Sequence, residues 1–160
     1  MPVDFDLNKA IQYFQTVVTK HYSDFQGRVA RRDFWTYVLI YVALAVIVAI
    51  VQALVGLELL ALLQLALLLP TAGVIARRLQ DTGKNGSLVW LLMVPVLISS
   101  AVTFVAAMTL SGLGLVVILF PLLALLSLIS LIAGIVLIYL CAQPGTPGPN
   151  AYGPQPAVAV

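Results

Sequence analysis

The sequence predicts an all-α membrane protein with four transmembrane helices and an N-terminal amphipathic helix at the membrane interface. Hydrophobic residues make up 62% of the 160 residues and charged residues only 9%, whereas soluble globular domains carry about 25% charged residues. The apolar residues are gathered into long runs. Because the bilayer core offers no water to a free backbone, each run of about 20 residues is predicted to cross it as a helix.

Four apolar runs are long enough to cross a bilayer. They predict spans over residues 35–56, 58–76, 88–108 and 113–141. Each of the last three runs contains one proline, which removes a backbone donor and frees a carbonyl of the helix. A membrane tolerates this when neighbouring groups pair with the freed backbone. A plain kink and a hinge of the kind found in transporters are both open interpretations.

The spans divide the chain into three predicted regions: a cytoplasmic segment at 1–34, the transmembrane domain at 35–141 and a tail at 142–160. Apolar residues in the first region recur at helical spacing, namely Leu7, Ile11, Phe14, Val18 and Phe25. This pattern predicts an amphipathic helix lying in the membrane interface, and a helix packed on the cytoplasmic loops is the alternative. The tail is rich in proline and glycine, which predicts an extended or disordered segment.

The basic residues predict how the chain is threaded. All eight lie either before the first span or in the loop between the second and third spans, and none follows Asn85. The positive-inside rule therefore places the N-terminus and this central loop in the cytoplasm. Four spans return the C-terminus to the same side.

The stretch from Pro70 to Gly86 joins the second span to the central loop and carries the densest set of polar signals. A carboxylate at the end of a helix opposes the helix dipole, so Asp81 is expected to pair with one of four arginines: Arg28, Arg31, Arg77 or Arg78. Gly83 suits a helix stop. We predict one cytoplasmic layer that contacts anionic lipid headgroups or a partner. Its residues are Arg28, Arg31, Arg32, Arg77, Arg78, Asp81, Gly83 and Lys84.

Two glutamines interrupt the apolar runs of the first and second spans. Gln52 and Gln64 lie at similar distances from the short turn that joins these spans. An amide without a hydrogen-bond partner is costly in hydrocarbon. We therefore predict that Gln52 and Gln64 form an interhelical polar pair.

Three motifs, in this order, resemble the DUF805 family of small bacterial inner-membrane proteins: FQGRVARRDFW, PTAGVIARRLQDTGKNG and PGTPGPNAYGP. Family members typically carry F-x-G-R-x-x-R-x-x-[YFW]-W and R-R-L-H-D-T-G-K-S-G-W. This chain departs at Gln80, Asn85 and Ser87, and Gln80 removes a histidine that would titrate near neutrality. The chain also has about one span more than many relatives. The resemblance implies an inner-membrane location and no established activity.

The reactive residue types are too few to predict an enzyme or a cofactor. The chain has one histidine, His21, and one cysteine, Cys141, and its carboxylates are too scattered for a catalytic dyad. A net charge of +2 with no basic tract gives no reason to expect nucleic acid. We predict a non-enzymatic structural or interaction protein. The expected partners are the bilayer, anionic phospholipid and a second copy or another membrane protein.

The alternative function is a small transporter or a component of an oligomeric channel. No charged residue lies deep within a predicted span. Ionisable groups inside the membrane are the usual mark of ion and proton pathways, so this alternative ranks second.

Overall fold

The computed structural model describes residues 6–55, 61–107 and 112–158. Four of the helices in these ranges are long and apolar enough to cross a membrane, which confirms the predicted fold class. The regular elements are α1 Leu7–Lys20, α2 Arg31–Val55, α3 Ala61–Asp81, a 3₁₀ helix Gly86–Val89, α4 Trp90–Ala107 and α5 Gly112–Ala142.

The helices extend beyond the predicted spans on the side that carries the arginines. Helix α2 begins at Arg31 rather than at residue 35, and α3 ends at Asp81 rather than at residue 76. The apolar run marks only the part of a helix that lies in hydrocarbon, whereas the backbone hydrogen bonds continue into the headgroup region. Arg31, Arg32, Arg77 and Arg78 are therefore part of helices. The predicted turn between the first two spans and the predicted end of the third lie outside the described residues.

The chain forms two compact units. One unit combines Met1–Gly86 with Cys141–Val160, and the other is Ser87–Leu140. The first unit holds α1, α2, α3 and the tail. Of the four spans, α3 is the most buried.

Asp6 caps the start of α1: its side chain accepts hydrogen bonds from the backbone amides of Asn8 and Lys9 at 2.9 and 3.3 Å. An aspartate in this position satisfies donors that the helix itself leaves free. The helix ends at Lys20, earlier than the predicted residue 25, because residues 21–30 form an irregular connection. The N-terminal helix is therefore shorter than its apolar pattern indicates.

Helix α1 packs against α2 and α3. Ala10 and Val17 are buried, and the ring of Phe14 stacks on that of Tyr37 with 5.1 Å between centroids. Burial raises the pKa of Tyr13 on this helix to about 12, and the charge of Asp33 adds to the rise. Tyr13 is therefore neutral at physiological pH. The placement of α1 in the membrane interface stays a prediction.

The middle of α3 is tied to α2 and to the connection that follows α1. The hydroxyls of Tyr37 and Thr71 lie 3.0 Å apart. Pro70 lacks an N–H, so the Ala66 carbonyl four residues earlier has no donor within the helix. The hydroxyl of Tyr22 donates to this carbonyl at 2.7 Å. The hydrogen bond that Pro70 cannot donate within α3 is thus replaced by one from a side chain outside the helix.

The connection at residues 21–30 presses directly on α3 at Gly73. A Cβ atom at this position would lie 2.8 Å from the backbone oxygen of Asp24, which is closer than real Cβ atoms approach an oxygen. Only glycine allows this approach. The connection can therefore lie against the helix backbone.

We expect Gly73→Ala to lower the free energy of unfolding by about 1–3 kcal/mol, the usual cost of overpacking a well-packed site. Thermal unfolding in detergent measures the change. Gly114→Ala is the control, because a Cβ there would meet no described atom within 4 Å and alanine favours the helix. Equal melting temperatures for Gly73→Ala and the unmodified chain would contradict the close approach.

Candidate functional site

The candidate site begins where α3 ends. Gly83 adopts a positive φ of 76°, its amide donates to the Gln80 carbonyl at 3.1 Å, and the Lys84 amide donates to the Leu79 carbonyl at 2.9 Å. These two bonds form a Schellman motif, which satisfies the last carbonyls of a helix. The motif ends α3 at Asp81, two residues before Gly83, and leaves the Asp81 side chain at the end of the helix.

Asp81 is bound by two arginines, one from each basic motif. Arg28 contacts Oδ1 at 2.9 Å, and Nη1 of Arg78 donates to Oδ2. The side chains are 1%, 4% and 0% exposed for Arg28, Asp81 and Arg78, respectively. We call these three residues the charge cluster. Of the four arginines expected as partners of Asp81, the structure selects Arg28 and Arg78.

Arg28 connects the charge cluster to the C-terminal tail. Nη1 donates to the carbonyls of Gly148 and Gly153 at 2.6 and 3.2 Å. Nη2 donates to the carbonyl of Thr146 at 2.6 Å and to its hydroxyl at 3.3 Å. An arginine fork can hold several oxygens at once because its donors point in fixed directions.

Arg78 holds the start of the same tail. Nε donates to the carbonyl of Cys141 at 2.9 Å, and Nη2 donates to the carbonyl of Gln143. A longer bond of 3.4 Å runs from Nη1 to the carbonyl of Val29, next to Arg28. Arg78 therefore joins the end of α5, the tail and the connection before α2.

The tail also bonds to the backbone at the end of α3. The amide and hydroxyl of Thr146 donate to the carbonyl of Asp81 at 2.8 and 3.0 Å. The Asn150 amide group donates to the Gln80 carbonyl at 3.0 Å and to the Thr146 hydroxyl at 2.9 Å. Asn150 and Gly153 exchange backbone hydrogen bonds that close a turn. The tail thus lies along the end of α3.

This arrangement differs from the extended or disordered tail that the composition predicts. Composition reports that the tail has few apolar groups to bury, and its prolines remove backbone donors. In the structure, Arg28 and Arg78 supply donors to the tail carbonyls from outside the tail, and the Asn150 side chain within the tail donates to the Gln80 carbonyl. Hydrogen bonds to charged groups are stronger than neutral ones, so they can order a segment without an apolar core.

Gly145 explains how the tail comes close to the charge cluster. A Cβ atom at this position would lie 2.2 Å from Oδ2 of Asp81. A side chain here would displace the carboxylate from its arginines. The sequence motif PGTPGPNAYGP contains this glycine, together with Thr146 and Asn150, but spacing alone gives none of the three a role.

Arg77 and Gln80 face the connection at residues 21–30 and lie outside the charge cluster. Arg77 donates from Nε to the Gly73 carbonyl at 3.3 Å, and its Nη1 lies 4.0 Å from the Asp24 carboxylate. Gln80 donates from Nε2 to the Phe25 carbonyl at 2.9 Å. Both residues anchor the connection to α3.

The remaining basic residues of the predicted layer are wholly or partly exposed. Arg31 at the start of α2 and Lys84 after α3 are exposed, and Arg32 is half-buried. The predicted single layer is therefore divided: Arg28 and Arg78 bind inside the protein, Arg77 fastens the connection, and Arg31 and Lys84 are open to the surroundings.

The predicted pair of glutamines is not formed in this structure. Gln52 on α2 and Gln64 on α3 are both half-buried, but no hydrogen bond joins them in the described ranges. The hydroxyls of Tyr37 and Thr71 link these helices instead. Similar distances from a turn fix depth in the membrane but leave the rotation of each helix open.

Within the described residues, no group of three or more His, Cys, Asp or Glu side chains could hold a metal ion. The guanidinium groups of Arg28 and Arg78 and the carboxylate of Asp81 all form hydrogen bonds with groups of the same chain. The cluster is thus a centre of internal bonding.

The comparison with known families identifies the chain. Residues 22–154 match the family model described as a protein of unknown function, DUF805. This chain belongs to the DUF805 family. The matched range includes both arginine motifs and the tail segment that they hold. No solved structure significantly matches this DUF805 protein.

Two curated relatives support an inner-membrane location. Inner membrane protein YhaI of Escherichia coli strain K12 is 36% identical over 88 residues, which cover 53% of this chain and 74% of YhaI. YhaI of Escherichia coli O157:H7 matches with the same identity and coverage. With its four apolar helices, this DUF805 protein is a multi-pass inner-membrane protein.

We expect Asp81→Asn to destabilise the protein by about 3–5 kcal/mol, because two buried arginines lose the charge that compensates them. Hydrogen exchange should also accelerate at the Thr146 amide as the tail is released. Thermal unfolding and exchange mass spectrometry measure the two effects.

The control for this substitution is Asp6→Asn, which removes a carboxylate from the start of α1 but retains a good helix-capping side chain. We expect it to leave both the melting temperature and the tail exchange close to those of the unmodified chain. Unchanged tail exchange in Asp81→Asn would show that the charge cluster does not hold the tail.

Proposed function

We propose that this DUF805 protein is a non-enzymatic interaction protein of the inner membrane. In this proposal, the charge cluster holds the central loop and the tail together as a folded cytoplasmic cap. The exposed basic residues beside the cap then bind anionic lipid headgroups. The observation that carries the proposal is a difference in burial among the basic residues. The side chains of Arg28 and Arg78 are buried and bound to groups of the same chain, whereas Arg31 and Lys84 are exposed.

The hydrogen bonds of Arg28 support an internal role. A guanidinium group has five N–H donors, and Arg28 makes five hydrogen bonds, one to Asp81 and four to the tail. No donor is left for a phosphate. The charge cluster therefore supports the cap, and lipid binding falls to other cations.

The cap also supports a topology. Arg28 lies before the first span, Asp81 ends the second, and Thr146 follows the fourth, yet all three are in direct contact. Groups in contact lie on one side of the bilayer. Since the positive-inside rule assigns the arginines to the cytoplasm, we propose that both the N-terminus and the C-terminus are cytoplasmic.

Arg31 and Lys84 are suited to contact with headgroups. Both are exposed, and they lie at the cytoplasmic ends proposed for α2 and α3. A basic residue next to an anionic membrane surface contributes about 1 kcal/mol of attraction. The attraction depends on charge more than on the geometry of the side chain, so lysine and arginine should serve equally.

We expect the double substitution Arg31→Gln and Lys84→Gln to reduce retention of phosphatidylglycerol over phosphatidylcholine. Two lost charges correspond to about 2 kcal/mol, or roughly a 30-fold weaker preference. Native mass spectrometry of protein released from mixed-lipid nanodiscs counts the bound lipids.

The matched control exchanges the two cations, Arg31→Lys with Lys84→Arg, and keeps the charge. It should retain phosphatidylglycerol like the unmodified chain. Equal retention by the glutamine variant would reject headgroup binding. Capture of a protein partner that depends on these two residues, with unchanged lipid preference, would assign the surface to that partner instead.

One feature of the second unit favours the alternative function, a small transporter or channel component. An open groove in Ser87–Leu140 is lined by Val96, Ser99, Ser100, Ser127, Ser130 and Leu131. Ser99, Ser127 and Ser130 each donate to a carbonyl of their own helix at 2.8 Å, so these hydroxyls are already paired. Solute flux above that of protein-free liposomes would favour this alternative.

A further inference from the structure

We infer that residues 7–25 form a membrane-embedded segment. Helix α1 lies in the boundary between headgroups and acyl chains, with Leu7 and Ile11 in contact with lipid. The connection that follows reaches along α3 to the carbonyl released by Pro70. This inference concerns the lipid-facing surface of α1 and does not depend on headgroup binding by Arg31 and Lys84.

The bond between Tyr22 and Ala66 sets how deep the segment reaches. Helix α3 has 21 residues, and about 20 are needed to cross the hydrocarbon core. Ala66 lies 11 residues before Arg77, about 16 Å along the helix, which is near half of a core about 30 Å thick. The Tyr22 hydroxyl therefore contacts α3 well below the headgroups.

The backbone of the connection lies at intermediate depth. Gly73, which Asp24 contacts closely, lies four residues before Arg77, about 6 Å along the helix. The Asp24 carboxylate lies between His21 Nδ1 at 3.2 Å and Arg77 Nη1 at 4.0 Å. Paired charges and long side chains that extend toward water allow polar groups at this level.

The surface of α1 has three sectors that fit protein, lipid and water. With about 100° between successive residues, Ala10 and Val17 share one face, and both are buried against the protein. Leu7 and Ile11 share the next face and are 59% and 41% exposed. The remaining exposed residues of the helix are polar: Asn8, Lys9, Gln12, Gln15, Thr19 and Lys20.

The face of α1 that carries Leu7 and Ile11 contacts lipid because α1 lies on the outside of the spans. It packs on α2 and α3, and α2 presents apolar side chains such as Leu39 and Val42, which are 64% and 51% exposed. These side chains face acyl chains in an integral membrane protein. Leu7 and Ile11 extend the same apolar exterior. A helix with one apolar and one polar exposed face lies in the interface plane.

The first experiment compares nitroxide labels at Ile11 and Gln12 in the full chain, reconstituted in nanodiscs, with Cys141→Ala removing the native thiol. The label at Ile11 should collide severalfold more often with oxygen, which concentrates in lipid, than with a water-soluble nickel chelate. The label at Gln12 should show the reverse preference. Preference for nickel at both positions, or for oxygen at both, would overturn the inference.

A second measurement tests the contact at depth by a double-mutant cycle. Tyr22→Phe leaves the Ala66 carbonyl unpaired and should lower the melting temperature by a few degrees. In a Pro70→Ala chain the new amide pairs with Ala66 within the helix, so Tyr22→Phe should have little effect. Equal shifts in the two backgrounds would contradict the role of Tyr22 as the partner of that carbonyl.

Discussion

The structure of the first unit depends on one buried carboxylate. Asp81 stands at the end of α3, where a negative charge is unfavourable next to the helix dipole, and almost no water reaches it. Two arginines offset both effects, and each brings another part of the chain with it. Arg28 brings the connection before α2, and Arg78 brings the start of the tail. Three segments distant in sequence, namely the end of α3, the connection before α2 and the start of the tail, therefore meet around one side chain.

A second constraint is that backbone carbonyl oxygens need hydrogen-bond donors. A membrane protein cannot leave backbone groups without partners in hydrocarbon, and a proline-rich segment has few donors of its own. This chain solves both problems with side chains from other elements. The Tyr22 hydroxyl pairs with the carbonyl that Pro70 releases, and arginine donors pair with the carbonyls of the tail. Proline is tolerated at both places because the donors are supplied from elsewhere in the fold.

The division among the basic residues connects the fold to the proposed function. The arginines of the charge cluster are committed to internal bonds, so removing one of them is expected to affect folding before it affects binding. In the proposed function, Arg31 and Lys84 make up the surface that meets an anionic membrane. The same basic motifs would then carry a structural role and an interaction role on different residues. A topology signal alone would require neither the burial of Arg28 and Arg78 nor the close approach of Gly145 to Asp81.

The sequence by itself determined the class of protein, the four spans and the family, because these depend on apolar runs and on motifs that are local in the chain. It also indicated that Asp81 needs a basic partner. Only the tertiary structure decided which arginines fill that role. The sequence offers four candidates, and the fold buries the side chains of Arg28 and Arg78 against Asp81 while Arg31 stays exposed. The tail is the clearest case. Its composition describes what the segment lacks, whereas its order comes from donors on Arg28 and Arg78, more than 60 residues away in the chain.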